Sequence, residues 1–363
     1  MADDKVTKAL TGLLQDGVKG HVAPGMACAV GTADKTWFAH AGHHSYDSKS
    51  AKITDDTVWD LASVTKIAAT TSVAMGMYQA HELDLDSHVQ SVVTDFVGKG
   101  KEDVTVRNLL RHDSGLAAYG DYEGDTSAKD VKERILHSRL IHKPCSVTEY
   151  SCLGFVTLAE VLQRLTRQSL DELVAKYVTG PLKLKDTYYK PVYDDRRSCA
   201  PTEEPAQWRL HLDKLRGFKS VNSRYIQGAV HDPIAYLIGG VSGNAGLFST
   251  TGDLVKLVRS WMLPGTGPFS KETLSLFTTR QGKSSTYGLG FDTRSEEDST
   301  AGTKFSLKSF GHTGYTGTTI WVDPEALIFA VLLTNRICPT AANIKIRDFR
   351  PPFHDAVYSL LVQ

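Results

Sequence analysis

The sequence predicts an α+β fold, an α/β sandwich: an antiparallel sheet built from the N- and C-terminal segments, flanked by helices, with a helical insertion between them. Three observations predict it. Strand signals occur at 25–42 and again at 303–335, so strands lie at both ends of the chain. The stretch from about 67 to 240 carries helical spacing broken by loops. At 363 residues the chain exceeds one compact core of typical size, so two lobes are expected within a single unit. Residues 1–66 with 240–363 form the expected sheet lobe, and 67–239 the mostly helical lobe.

Residues 5–20 place apolar side chains at helical spacing. "GMACAVGTADKTWFAHAG" (25–42) reads as two strands around a polar turn at Thr32 to Asp34. In the middle, "TVRNLLRHDSGL" (105–116) is a short amphipathic helix stopped at Gly115. "LGFVTLAEVLQRLT" (153–166) and "SLDELVAKYVTGPL" (169–182) are helices, the second ended by Gly180-Pro181. Residues 190–232 carry many charges and little periodicity, which reads as a long surface excursion. "GGVSGNAGLFSTTGDLVKLVRSWM" (239–262) is a glycine-rich turn leading to a helix capped by Ser249 or Thr250. "TKFSLKSFGH" (303–312) alternates as a strand, and "TGTTIWVDPEALIFAVLLTN" (316–335) reads as a hairpin turning at Asp323-Pro324-Glu325. Pro351-Pro352 opens a final helix. No internal repeat or low-complexity tract interrupts this layout.

Lys plus Arg equals Asp plus Glu at 41 each, so no basic footprint argues for nucleic acid. No apolar run approaches the roughly 20 residues that cross a bilayer, and the first residues lack an apolar leader core. The five cysteines (28, 145, 152, 199, 338) are scattered without a CxxC pair, which fits free thiols. A cytoplasmic protein is the resulting expectation. "HAGHH", with His40, His43 and His44, lacks a completing carboxylate or thiol pattern, so no metal is expected. The glycines of "GGVSGNAG" lack a βαβ context, there is no P-loop, and no cofactor is expected. Oligomeric state is not legible.

The chemistry-bearing residues fall in three places. Ser63 and Lys66 form S-x-x-K in "WDLASVTKIAATTSVAMGMYQ" (59–79). On a helix, i and i+3 share a face, so Ser63 Oγ and Lys66 Nζ can meet. A helix beginning near Ala62 would also favour negative charge at Ser63. A serine needs a base to become a nucleophile, and a buried lysine can serve. About one S-x-x-K match arises by chance in such a chain, and an N-cap serine with a solvated lysine has the same pattern. Tyr150, in "TEYSCLGF", precedes a helix; near a cationic lysine its phenol loses its proton more easily and can act as a base, or it is an aromatic anchor. In "SFGHTGYTG", His312, Thr313 and Gly314 end a strand. Gly311 and Gly314 would let a substrate backbone approach, and the Tyr315 N–H would serve as an oxyanion donor.

These motifs in this order resemble the serine β-lactamase and penicillin-binding-protein superfamily. The similarity is to the branch holding class C β-lactamases, D,D-carboxypeptidase-like hydrolases and family VIII esterases. "LLRHDSGL", "GVSGNAGLFSTTGDL", "YGLGF" and "FGHTGYTGTTIWVDPE" agree, as do "QGAVHDPIAY" and "LLTNR". The resemblance spans roughly residues 20–360 and implies a β-lactamase/transpeptidase-like fold. It further implies that Ser63 is acylated, that Lys66 and Tyr150 form the base system, and that the Ser63 and Tyr315 N–H groups form the oxyanion hole. Thr313, Gly314 and His312 would contact substrate; His312 would orient the Tyr150 hydroxyl or, if protonated, hold a substrate carboxylate. His231-Asp232 resembles a loop beside the active site, where His231 contacts substrate or locks the loop. His112 reads as a structural hydrogen-bonding histidine.

One departure stands out. Cys152 follows Tyr150-Ser151 where lactamases and peptidases carry Asn, and a thiol cannot replace an amide's hydrogen bonds. The expectation is therefore a serine hydrolase acting on a small-molecule ester or related acyl compound. The alternatives are an acyltransferase using the same acyl-enzyme, a D,D-peptidase or β-lactamase, and, last, a non-catalytic scaffold.

Overall fold

A computed structural model describes residues 2–122, 127–190, 199–215, 224–282 and 285–362. The N-terminal hairpin is β1 (Gly25–Thr32) and β2 (Thr36–Gly42). The two-residue strands β3 (Trp59–Asp60) and β4 (Tyr188–Tyr189) flank β5 (Leu247–Ser249) in a small second sheet that periodicity did not reveal. Strands β6 (Asp292–Thr293), β7 (Phe310–Thr313), β8 (Thr319–Asp323) and β9 (Ile328–Thr334) complete the main sheet. Its order is β2-β1-β9-β8-β7-β6, antiparallel throughout, so the two ends of the chain meet at the β1–β9 ladder.

Side-chain alternation splits the sheet's two faces. Met26, Cys28 and Val30 pack with Leu10 and Leu14 of helix Ala2–Lys19 and Phe353 and Val357 of helix Ile346–Leu361. Ala27 and Ala29 face the other way, with Val331, Leu333 and the Leu254, Leu257 and Trp261 side chains of helix Thr251–Met262. Both faces of β9 are covered, which is why it is a continuous apolar run. At the β8–β9 turn the Asp323 carboxylate accepts from the N–H groups of Glu325 and Ala326, as its turn residues predict.

Several boundaries differ from expectation. Of the strand expected over 303–312, only Phe310–Thr313 forms. Upstream, side-chain carboxylates take the ladder donors: Asp355 accepts from the N–H of Thr303 and Lys304, and Asp323 from that of Ser306. The last helix begins at Ile346 and carries Pro351 and Pro352 in its interior. Burial of Ile346, Phe353 and Val357 offsets the ~3 kcal/mol an interior proline costs. Helix Val106–Arg111 stops at a left-handed His112 rather than at Gly115. Helix Leu170–Val174 continues through a π turn and past Gly180 to Leu182, ending at a left-handed Lys183.

Of the excursion expected over 190–232, residues 191–198 and 216–223 lie outside the described residues. The described part includes helix Gln207–Leu215, which buries Arg209 and Leu212, so it is not all surface. Thr250 caps the helix that follows the glycine-rich turn, its hydroxyl accepting from the Asp253 N–H.

Candidate active site

Ser63 lies in a single 3-10 turn, Ala62–Val64, not in a regular α-helix. The cause is Ala62, whose φ of 46° no α-helix accepts. Buried Asp60 holds it there: Oδ1 accepts the Ala62 N–H at 2.8 Å and Oδ2 the His231 N–H at 2.7 Å. The chain then runs through a π turn, Lys66–Thr71, into helix Ser72–Gln79. The 3-10 turn is thus the first turn of a continuous helical run to Gln79, so Ser63 and Lys66 meet at its N-terminal end, where the helix dipole favours negative charge as expected.

Lys66 is fully buried. Its Nζ donates to Ser63 Oγ at 3.1 Å and to the Asn244 carbonyl at 3.0 Å, and lies 3.5 Å from Cys152 Sγ. Asn244 reaches it because the glycine-rich turn threads past helix Cys152–Thr166. A Cβ on Gly243 would overlap the Phe155 carbonyl and stand 2.9 Å from Ala159 Cβ. That close approach is what the glycines are for. The Asn244 side chain is fixed in turn, donating to Asp232 Oδ1 and accepting from Ser242.

Tyr150 sits just before Ser151, the N-cap whose hydroxyl accepts from the Gly154 N–H at 2.9 Å. It lines the cleft together with Ser63, and its ring centroid is 4.8 Å from Lys66 Nζ. The expectation that the lysine would ease its ionisation is overturned. Burial, joined by the proximity of Cys152, pushes the phenol well above its ordinary range and outweighs the opposing influence of the nearby Ser63 hydroxyl. Tyr150 is a neutral phenol at rest. Burial likewise pushes the Cys152 thiol up, against the opposing pull of Lys66.

His312 lines the same cleft and is buried. Its Nδ1–H donates to the Thr313 carbonyl at 2.6 Å, which leaves Nε2 as a lone-pair acceptor without a partner among the described residues. Burial and the Lys66 charge push its pKa down to about 3. A cationic His312 holding a carboxylate is therefore excluded near neutral pH. His112 accepts from the Ser151 N–H through Nδ1 and is held neutral by burial and by Lys66, in the structural role expected of it.

Gly311 and Gly314 serve a different purpose from the one expected. The space beside Gly311 is filled by the Ile320 carbonyl, and that beside Gly314 by Leu61 O and Thr318 Oγ1. These glycines let protein strands close on one another rather than admit a substrate. Thr318 and Thr316 donate to the Leu61 and Asp60 carbonyls at 2.9 and 2.8 Å, bolting the end of β7 to the Ser63 turn. Tyr315 is half-exposed; His231 stacks on it at 5.6 Å, the Arg336 guanidinium lies 4.4 Å from its ring, and Arg336 Nε donates to its carbonyl. His231 is pinned by Glu203, at 2.7 Å, and does not line the cleft. Among the described residues, neither the Ser63 nor the Tyr315 backbone N–H donates to a protein acceptor.

The cleft encloses about 350 Å³ and is lined by Ser63, Tyr150, Tyr287, Asp292, His312, Thr313 and the arginines at 336, 347 and 350, among others. Asp60, Asn244, Tyr287, Asp292 and Arg350 were not singled out from sequence. Only the "YGLGF" and "GVSGNAG" stretches signalled their neighbourhood. Among the described residues no cluster of His, Cys, Asp or Glu suits a metal, and no helix is long and apolar enough to cross a membrane. A hydroxyl between an amine and a phenol, beside two free N–H groups, is an arrangement suited to acyl transfer.

A sheet of both chain termini, a helical insertion and a Ser-Lys-Tyr cluster at their junction define the class of β-lactamase-fold serine hydrolases. The family model described as Beta-lactamase matches residues 10–347, and the chain belongs to that family. A provisionally named D-alanyl-D-alanine carboxypeptidase of Escherichia coli (strain K12) is 32% identical over 309 residues, covering 78% of this chain and 70% of that protein. Among solved structures, EstCE1, described as a hydrolase with promiscuous acyltransferase activity, superposes with a TM-score of 0.78 at 20% identity, covering 98% of this chain and 99% of that one. The unliganded simvastatin synthase LovD from Aspergillus terreus gives 0.73 at 17% identity, covering 98% of each. The octameric penicillin-binding protein homologue from Pyrococcus abyssi gives 0.70 at 20% identity, covering 97% and 76%.

Proposed function

We propose that this protein is a serine hydrolase that forms an acyl-enzyme on Ser63 and acts on esters or related small acyl compounds. The observation that carries the reading is the Ser63 hydroxyl itself, which accepts from Lys66 Nζ at 3.1 Å and shares the cleft with the Tyr150 phenol. Ser63 Oγ attacks the carbonyl carbon as its proton passes into the Lys66–Tyr150 pair. The two groups act as one coupled acceptor, so the proton belongs to the pair. The developing oxyanion accepts from the Ser63 and Tyr315 N–H groups. Collapse breaks the bond to the leaving oxygen, which takes the proton back from the pair. Water repeats the sequence on the acyl-enzyme and frees Ser63. His312 stays neutral and offers Nε2 as an acceptor beside Tyr150, at a ring separation of 5.7 Å.

The curated relative's name favours a D,D-peptidase as the second reading. Cys152 counts against it, since its thiol faces Lys66 where an amide would read a peptide bond. The test treats wild type and Ser63→Ala with a fluorophosphonate, maps the adduct by mass spectrometry, and then measures turnover of p-nitrophenyl esters and of a D-alanyl-D-alanine peptide. One adduct on Ser63, lost in the variant, with ester turnover exceeding peptide turnover, is expected. Full esterase activity in Ser63→Ala would overturn the reading.

A further inference from the structure

The cleft has an acidic, aromatic wall that the acyl-transfer steps leave unused. Strand β6 pairs Asp292 with Gly311 and Thr293 with Phe310, and then ends. His312 and Thr313 keep their β8 partners but have none on the β6 side, and both line the cleft. An extended substrate laid along that edge meets Asp292 as the next residue in line.

Asp292 is half-buried, and Oδ1 accepts from Thr286 at 2.7 Å. Burial pushes its carboxyl up to about 6, which leaves it a carboxylate at neutral pH. The nearby Arg280 does not neutralise it directly: its guanidinium donates to Thr293 Oγ1 and to the Arg294 carbonyl. Tyr287 bridges to Asp292 through the backbone, and its ring stacks near-parallel with that of Tyr150, 6.3 Å apart at 25°. Both rings line the cleft with Asp292. Of the cleft's three arginines, Arg350 donates to Gly314 O and Arg336 to Tyr315 O, while Arg347 is exposed to solvent and none of the three pairs with Asp292 among the described residues.

We propose that Asp292, with the faces of Tyr150 and Tyr287, forms a subsite for a positively charged amino group, so that the enzyme prefers cationic acyl substrates over neutral isosteres. A carboxylate beside aromatic faces attracts an ammonium by charge and by the ring quadrupoles. It repels a free carboxylate placed there. A bound ammonium also opposes the burial that keeps Tyr150 protonated, so the preference extends to the chemical step. This inference rests on the reading of the Ser63 cleft as the site of acyl transfer.

The test uses two isosteric pairs. Butyrylcholine and 3,3-dimethylbutyl butyrate differ in charge on the alcohol. The p-nitrophenyl esters of 4-(trimethylammonio)butyrate and 5,5-dimethylhexanoate differ in charge on the acyl group. In wild type at pH 7.5, kcat/KM for the cationic member of at least one pair is expected to exceed its isostere by roughly tenfold. The ratio is expected to collapse to near unity in Asp292→Asn and to shrink in Tyr287→Leu. Calorimetry with Ser63→Ala and the same esters reads the preference without turnover. Equal values within both pairs overturn the inference and leave the hydrolase reading standing. No turnover, with cationic esters still bound preferentially through Asp292, overturns the hydrolase reading and leaves the subsite standing.

Discussion

Replacing Gly314 with alanine tests whether the fit between β7 and the nucleophile turn sets reactivity. An added Cβ would lie 2.5 Å from the Leu61 carbonyl oxygen, about 0.9 Å inside the 3.4 Å at which ordinary contact begins, and would overlap Thr318 Oγ1. Leu61 is backbone, tied through Thr318 Oγ1 at 2.9 Å, so it cannot swing aside as a side chain would. The β7 end and the Ser63 turn must separate by something near that overlap. A misplacement of about 1 Å costs on the order of 10²-fold in rate, or about 2.7 kcal/mol of barrier. The assay pairs ester kcat/KM and the fluorophosphonate labelling rate with a thermal melt. A folded variant slowed about a hundredfold in both rates is expected. Adding Thr318→Ala relieves the hydroxyl overlap but also cuts the hydrogen bond that ties Leu61, and the Leu61 oxygen still meets the added Cβ, so recovery should be partial. A folded Gly314→Ala enzyme within threefold of wild type would refute the reasoning.

Two further predictions concern stability and specificity. His354 is buried, donates through Nδ1 to the Arg350 carbonyl, and is pushed down to about 4 by burial. A depressed histidine contributes stability that is present above its unfolded pKa near 6.5 and is lost as pH falls toward 4. In His354→Gln, the stability lost between pH 6.5 and 4.5, measured by urea unfolding, should shrink by about 1–3 kcal/mol; an unchanged loss would show that His354 does not titrate as inferred. Cys152→Asn places an amide beside Lys66, and the ratio of amide to ester turnover should rise at least several-fold; an unchanged ratio would mean that this position does not read the scissile group.

Much of the fold was legible because its cues are local. The apolar runs of β1 and β9, the Asp323 turn and the Thr250 cap depend on neighbours within a few residues. Legibility failed where distant groups compete for the backbone. Nothing near Thr303 announces that Asp355 will take its N–H, and nothing near Pro351 announces the buried face that pulls the helix across it. The small β3-β5-β4 sheet was invisible because two-residue strands carry no period. In the site, the spacing of Ser63 and Lys66 implied their meeting at a helix start, but not the 3-10 first turn that Asp60 and Ala62 impose there.

The sequence by itself determined the placement of the longer strands and helices, the family pattern and the identity of the reactive groups, since these are properties of composition and short-range spacing. Tertiary structure alone decided what those groups experience. Lys66 meets Cys152 across 86 residues of chain and Asn244 across 178. Tyr150 and His312 are held neutral, and Asp292 turns a strand end into an acidic wall. The reason is that ionisation follows burial and surrounding charge, and both are set by residues that only folding brings together.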